Sequence, residues 1–382
     1  MNRVRVALFV DVLKENFDGV SNTMNQILRR LPHDEIDTIA ITPHPPDGDI
    51  GIRIHRCPYA PIYMNKGYRL GLPALMNGLE KILDDFNPDI IHWTSPSLLG
   101  AYALKYAEGH QLPVITIYHT HYPTYASYYL RFIPFSSAIT RYFLKKLMSF
   151  YHRSSVIFAP TQTMRDYLVE HGQESSKVKI WGRGVDMTTF NVKFRDPLRF
   201  KGEIKEQELK VLFVSRLVKE KETDTLIRLH DLIQSGSTPM RLIITGDGPD
   251  RRRMEKKMPE AVFTGKLRDE ALSVVYASCD VFVFPSVTET FGNVVLEAMA
   301  SGLPVIAADA GGPGDIIRQS GCGFLVPPRE EQAFYDKVLQ LKTDKALYDE
   351  IRRKSIEYAT LQSWNSLCHE LFDTYKSLAR VN

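Results

Sequence analysis

Pro285-Ser286-Val287-Thr288-Glu289-Thr290-Phe291-Gly292-Asn293-Val294-Val295-Leu296-Glu297-Ala298-Met299-Ala300-Ser301-Gly302 is the most informative stretch of this sequence. It reads as the end of a buried strand over Val281–Pro285, a short loop, and a helix that begins near Phe291. The first backbone N–H groups of such a helix have no intrahelical partner and sit at its positive end, where they suit a phosphate. Glu297 follows Asn293 by four residues and so shares its helical face. A carboxylate there suits the two neighbouring hydroxyls of a ribose, and Glu289, in the loop, suits those of a sugar ring. The bland alternative makes Glu289 a favourable anion at a helix start and Glu297 a solvated surface residue. The strand–loop–helix setting favours the binding reading.

Outward from this segment, short apolar runs alternate with helix-length stretches. Val4–Val10, Asp89–Trp93, Val114–Tyr118 and Ser155–Ala159 read as strands in the first half, with a helix near Ser21–Leu31. Val211–Val214, Leu242–Thr245, Ala261–Thr264, Val281–Pro285 and Val305–Ala308 do so in the second. Near-continuous Val, Ile, Leu and Phe runs suit parallel strands covered on both faces. The rhythm predicts an α/β protein with two doubly wound, Rossmann-like domains. At 382 residues the chain has room for both. Residues 184–209, charged and without an apolar period, read as the linker, which places a boundary at 190/191. Ser363–Ala379 reads as a last helix.

In open α/β sheets ligands bind beyond the carboxyl ends of strands, and several unusual clusters fall there. Arg216 ends a strand and Lys221 begins the next helix; a diphosphate needs cations of this kind. Lys219 reads as a weaker third. Gly246-Asp247-Gly248-Pro249 follows another strand, and Gly19, within Asp18-Gly19-Val20-Ser21-Asn22, is where a phosphate or sugar has room to approach the backbone. His119-Thr120-His121 follows a further strand. Two histidines without a nearby acidic residue or an identifiable third ligand argue against a metal. His119 reads as a hydrogen-bonding partner for sugar or phosphate, while His121 is equally well a structural histidine. With the two domains face to face, all these clusters would line one cleft. The dinucleotide GxGxxG and the phosphate-binding GxxxxGK[ST] patterns are both absent. Asp47-Gly48-Asp49 follows Pro45-Pro46 and reads as a turn rather than a metal-binding pair.

A net charge of +3 gives no whole-protein attraction to nucleic acid. The dispersed cysteines, Cys57, Cys279, Cys322 and Cys368, form no CxxC pair and fit a reducing cytoplasm. No window is apolar enough to span a bilayer. Between Glu108 and Asp166 there is no acidic residue, yet the stretch holds Tyr125, Arg141, Lys145 and Lys146 among many aromatic and basic side chains. In a helix over 139–152, Ile139, Phe143, Leu147 and Phe150 share one face and Arg141, Lys145 and His152 another. That pattern fits docking on an anionic membrane surface; it equally fits a core helix with a solvated basic face.

These residues together resemble the retaining GT-B glycosyltransferases of family 4. The resemblance rests on Arg216 with Lys221, Gly246-Asp247-Gly248-Pro249, Phe263-Thr264-Gly265-Lys266-Leu267, and the eight-residue spacing of Glu289 and Glu297. His119-Thr120-His121-Tyr122-Pro123-Thr124-Tyr125 and Glu289-Thr290-Phe291-Gly292-Asn293 are similar to the glycolipid-type members, the sulfoquinovosyl-diacylglycerol synthases and mannosyltransferases. The resemblance implies a GT-B fold with a cleft and a last helix that returns to the first domain. It implies a UDP- or GDP-sugar donor, with a lean to UDP, a membrane lipid or glycolipid acceptor, and no metal. Arg216 and Lys221 would bind the diphosphate. Phe291, Gly292, Asn293 and Val294 would hold phosphate and sugar through their backbone. Glu289 would bind the transferred sugar, Glu297 the ribose and Leu267 the base, with Gly246 also in the donor site. Gly19 and His119 would close the site from the first domain, and His121, Tyr125, Arg141, Lys145 and Lys146 would face acceptor or membrane. Ser215 and Lys219 stand where many members have Gly and Pro, and the first loop has one glycine only. The alternatives are a nucleotide-sugar epimerase of the same fold, a transferase acting on a soluble glycan or small molecule, and a non-catalytic sugar-nucleotide-binding module.

Overall fold

The computed structural model describes residues 3–15, 17–62, 67–120 and 136–379, without the side chains of 136–141 and 143. They form two compact units, Met1–Gly182 with Trp364–Asn382, and Arg183–Ser363. The first unit contains β1 (Val4–Phe9), β2 (Ile36–Thr42), β3 (Arg53–Arg56), β4 (Tyr59–Pro61), β5 (Arg69–Gly71), β6 (Ile90–Trp93), β7 (Val114–Ile117), β8 (Val156–Ala159) and β9 (Val178–Ile180). The second contains β10 (Leu209–Val214), β11 (Met240–Thr245), β12 (Val262–Gly265), β13 (Val281–Phe284), β14 (Val305–Ala308) and β15 (Gly323–Val326).

Among the described residues the first unit has a seven-stranded sheet in the order β3-β2-β1-β6-β7-β8-β9, and the second a six-stranded sheet in the order β12-β11-β10-β13-β14-β15. Every ladder in these two sheets is parallel, while β4 and β5 make a separate antiparallel pair. Central strands such as β8 and β13 are buried throughout, which is why they appear in the sequence as unbroken apolar runs. In each sheet the strand order reverses once, between β1 and β6 and between β10 and β13. Chains leave these neighbours in opposite directions, so a crevice opens beyond their carboxyl ends.

The unit boundary falls after Gly182 rather than at 190/191. Val185 N–H donates to the carbonyl of Gln362 at 3.0 Å, and Phe190 meets Tyr276 edge-on. The charged stretch expected as a linker is also tied to the second unit. Phe200 is buried in its core, Asp196 N–H donates to Ser278 Oγ at 3.0 Å, and Arg195 pairs with Asp280. The last helix, Trp364–Ala379, belongs to the first unit. Trp181 Nε1 donates to the carbonyl of Leu367 at 2.8 Å, and His92 Nδ1 and the Tyr375 hydroxyl share a 2.6 Å hydrogen bond. Burial pushes His92 down to about 3, so its ring is neutral.

Gly246 brings two strand-end loops of the second unit together. Its φ is +137°, and a Cβ built there would lie 1.8 Å from the carbonyl oxygen of Ser215. Around it, Ser215 N–H donates to Thr245 O, Leu217 N–H to Asp247 O and Asp250 N–H to Leu217 O. Gly19, by contrast, opens the helix Gly19–Leu28, and nothing lies within 4 Å of the corresponding position. Gly246→Ala should therefore destabilise the second unit by about 3 kcal/mol or more, through backbone overlap and a disfavoured φ. Gly19→Ala should change stability by less than about 1 kcal/mol. Urea unfolding of both variants measures the contrast.

Candidate functional site

The switch point between β10 and β13 carries the most distinctive chemistry. After β10 the chain runs through Ser215–Val218 into a 3-10 turn, Lys219–Lys221, and the helix Thr223–Ser235 starts only after Glu222, whose φ is +56°. Lys221 therefore ends a tight turn and does not begin the helix, as the sequence implied. The turn holds its side chain inward, with 5% exposed, and Nζ donates to Glu289 Oε1 at 2.7 Å. Glu289 lies in the loop after β13. A cation after one strand is thus joined to an anion after its neighbour, across the switch point.

Arg216 is exposed and reaches Glu220 Oε1 with Nη2 at 3.2 Å. Glu220 is buried, and its carbonyl accepts the Thr288 hydroxyl at 3.3 Å, which ties the β10 loop to the β13 loop. The Glu289 carbonyl in turn accepts the Gly312 N–H at 2.9 Å. Gly312 sits so close to Phe291 that a Cβ would lie 2.3 Å from the Phe291 Cα. The loop over 288–291 is thereby pinned on both sides by backbone.

The helix after this loop is Asn293–Ala300, starting two residues later than expected. Its N-cap, Gly292, has φ +94° and no side-chain cap, so the N–H groups of Asn293 and Val294 head the helix with the charge preference of a helix start. One turn on, Glu297 Oε2 accepts the Tyr276 hydroxyl at 3.0 Å. Some of the residue stays exposed, but the carboxyl lies among protein atoms, and burial pushes it up to about 7 against the lowering effect of the Tyr276 bond.

The remaining donor-side residues are spread along the same sheet edge. Gly246 follows β11. Leu267 follows β12 and lines a shallow depression of about 400 Å³ with Arg199, Glu270, Ala271 and Val274. Direct contact within the set joins Lys221 to Glu289, while Arg216 reaches them through Glu220 and Thr288.

Gly19 and His119 belong to the first unit. Gly19 opens its helix under a capping box in which Asp18 Oδ1 accepts the Ser21 N–H at 2.7 Å. His119 is half-buried just beyond β7. His121 and Tyr125 lie outside the described residues, as does the side chain of Arg141. Lys145 and Lys146 are exposed on the helix Ser136–His152, with Lys146 Nζ 5.8 Å from the ring centre of the exposed Tyr142. Leu147, Met148 and Tyr151 of that helix are buried. Lys14 pairs with Asp47, and Asp49 accepts the Gly51 N–H, so Asp47-Gly48-Asp49 forms a local turn.

Four features escaped the sequence. Glu220 stood in plain view as the acid of a basic turn, four residues after Arg216. The run Gly311-Gly312-Pro313-Gly314 was visible as an unusual strand-end cluster. Tyr276 carried no signal of its contact with Glu297. Asp11 showed in the sequence only as a charge after the first apolar run; it lies just past β1, at the switch point of the first sheet. It accepts the Ser97 hydroxyl at 3.0 Å, and burial pushes it up to about 6.

Comparison with known proteins completes the picture. Residues 17–189 match the model of Glycosyltransferase Family 4, and residues 194–362 that of Glycosyl transferases group 1. A GDP-mannose-dependent alpha-mannosyltransferase of Mycobacterium tuberculosis is 35% identical over 98% of this chain and 97% of its own. The chain is a family 4 glycosyltransferase. The sulfoquinovosyl transferase SQD2 of Arabidopsis thaliana is 32% identical over 95% of this glycosyltransferase and 71% of its own length. Among solved structures, the sucrose-phosphate synthase of Thermosynechococcus elongatus superposes with a TM-score of 0.80 over all of both chains at 20% identity. That likeness establishes the fold, the GT-B pairing of two Rossmann-like units.

Glu297 makes stability depend on pH. The folded glycosyltransferase holds this proton up to about pH 7, whereas an unfolded glutamate releases it near 4.5. The unfolded chain thus binds fewer protons between these values, and stability falls as pH rises through them. Glu297→Gln should be more stable than the unmodified enzyme at pH 8, by up to about 3 kcal/mol. The gap should close near pH 4.5. Calorimetric scans across this range measure it, and a gap that does not change with pH would contradict the assignment.

Proposed function

We propose that this enzyme is a retaining mannosyltransferase that takes mannose from GDP-mannose and passes it to a membrane lipid or glycolipid. The observation that carries the proposal is the Lys221–Glu289 contact across the β10/β13 switch point, 2.7 Å long and flanked by the uncapped start of the helix Asn293–Ala300. Cation, anion and helix start are what a sugar diphosphate needs. Lys221, Arg216 and the N–H groups of Asn293 and Val294 would hold the diphosphate, and Glu289 the sugar hydroxyls. Glu297 would take the ribose and the Leu267 backbone the base, with Gly246 shaping the loop between them. Gly19 and His119 would serve from the first unit.

In the reaction the bond between the anomeric carbon and the phosphate oxygen breaks, and the nucleotide leaves with the electron pair. The acceptor oxygen bonds to the same face of the sugar, and its proton passes to the departing phosphate. Charge builds on the diphosphate, where Arg216 and Lys221 stabilise it without a metal ion. Glu289 positions the sugar and need not form a covalent bond to it.

Guanine is favoured over uracil because the 35% identical relative, aligned along 98% of this chain, is named for GDP-mannose; this reverses the lean to UDP. A lipid acceptor is favoured by the resemblance to glycolipid-type members. It is also favoured by the helix Ser136–His152, which buries Leu147, Met148 and Tyr151 and exposes Tyr142, Lys145 and Lys146. Such a face suits an anionic bilayer, and a cytosolic donor places the reaction on the inner side of the membrane.

Incubating the full chain with GDP- and UDP-sugars, with and without vesicles containing diacylglycerol or simple glycolipids, tests the reading. Mannosyl transfer to lipid from GDP-mannose is expected, with kcat/KM reduced about 100-fold or more in Lys221→Ala and Glu289→Ala. Transfer only to a soluble glycan would remove the lipid acceptor, and free epimerised sugar nucleotide would remove the transferase reading. In co-sedimentation with anionic vesicles, the double variant Lys145→Glu/Lys146→Glu should bind about tenfold or more weakly.

A further inference from the structure

Both ends of the Lys221–Glu289 contact are fixed by their backbones. Lys221 N–H donates to Val218 O at 2.9 Å within its turn, and the Glu289 carbonyl is held by Gly312. Lys221 is almost fully buried and Glu289 is 26% exposed, so the pair is poorly screened by water. With a donor in the site proposed above, one ammonium would stand within reach of two anions, its own carboxylate and the diphosphate. It cannot serve both at full strength, and the two anions repel each other.

Resting on the donor site proposed above, we infer that Glu289 is a built-in competitor that expels the nucleotide product. While the sugar is attached, its hydroxyls donate to Glu289 and occupy the carboxylate, leaving Lys221 to the diphosphate. Once the sugar has moved to the acceptor, Glu289 has lost the hydroxyls that donated to it. The carboxylate then reclaims Lys221 at 2.7 Å, and the nucleoside diphosphate loses its buried cation. Glu289 thus does two jobs in sequence, sugar positioning and product release, with Lys221 exchanged between them.

Neutralising a side chain of the binding site must then tighten product binding. Titration calorimetry of GDP, UDP and GDP-mannose into the full chain tests it, on the unmodified protein and on Glu289→Gln, Glu289→Asp, Lys221→Met and the double variant Glu289→Gln/Lys221→Met. Glu289→Gln keeps shape and hydrogen bonding but loses the charge, and should bind GDP about tenfold more tightly, while GDP-mannose gains less or loses affinity. Glu289→Asp keeps the charge and should not tighten GDP. Lys221→Met should weaken GDP, and adding Glu289→Gln to it should tighten GDP by less than Glu289→Gln does alone, because the competition runs through Lys221. Melting curves confirm that each variant is folded. Unchanged or weaker GDP binding in Glu289→Gln, or equal tightening with and without Lys221, would overturn the inference and leave the donor site standing. Failure of the unmodified protein to bind either GDP or UDP would remove the donor site itself, and the inference with it.

Discussion

A parallel strand must hydrogen-bond on both sides and is apolar on both faces, so its chain can return only by a covered crossover. Every strand of such a sheet therefore delivers its following loop to the same edge. In the second unit that edge collects the turn after β10, the glycine loop after β11, the Leu267 loop after β12 and the Glu289 loop after β13. The reversal of order between β10 and β13 does the rest, since neighbouring chains depart to opposite sides and leave a gap between them. Lys221 and Glu289 span that gap. Their contact is a consequence of topology as much as of the residues themselves, and the pinning of both loops by backbone hydrogen bonds keeps it in place.

The three glutamates around this gap show how position divides one chemistry into separate tasks. Glu220 is buried under the exposed Arg216 and orients a flexible cation. Glu289 faces a buried ammonium, which in the proposed donor site it would exchange for sugar hydroxyls. Glu297, a turn deeper in its helix, has no cation within ion-pairing distance among the described residues, only the Tyr276 hydroxyl, and burial raises its affinity for a proton. A diol that donates two hydrogen bonds to it would supply what the protein does not.

Much of this was legible in the sequence. The fold class followed from unbroken apolar runs at helix-length intervals, because a strand buried on both faces leaves that trace. Lys221 and Glu289 were legible because each sits at a strand end. Less visible were strands whose pattern is diluted. β9 exposes Lys179 and Ile180, and β2 carries Asp37 and Thr38. Two helices start two residues later than expected, at Thr223 and Asn293, since a left-handed Glu222 and Gly292 delay them and φ does not show in residue identity. The stretch over 184–209 reads as a linker because its charges hide single anchors such as Phe200. Tyr276 and Asp11 were out of reach, because their roles depend on contacts between segments rather than on local pattern.

In the proposed function Lys221 and Glu289 form the diphosphate and sugar end of the donor site. A crystal structure of the full chain with GDP tests it most directly. The diphosphate is expected within hydrogen-bonding distance of Lys221 Nζ and of the N–H groups of Asn293 and Val294, with Glu289 displaced from Lys221. A nucleotide bound elsewhere, with the 2.7 Å contact between Lys221 and Glu289 intact, would contradict it.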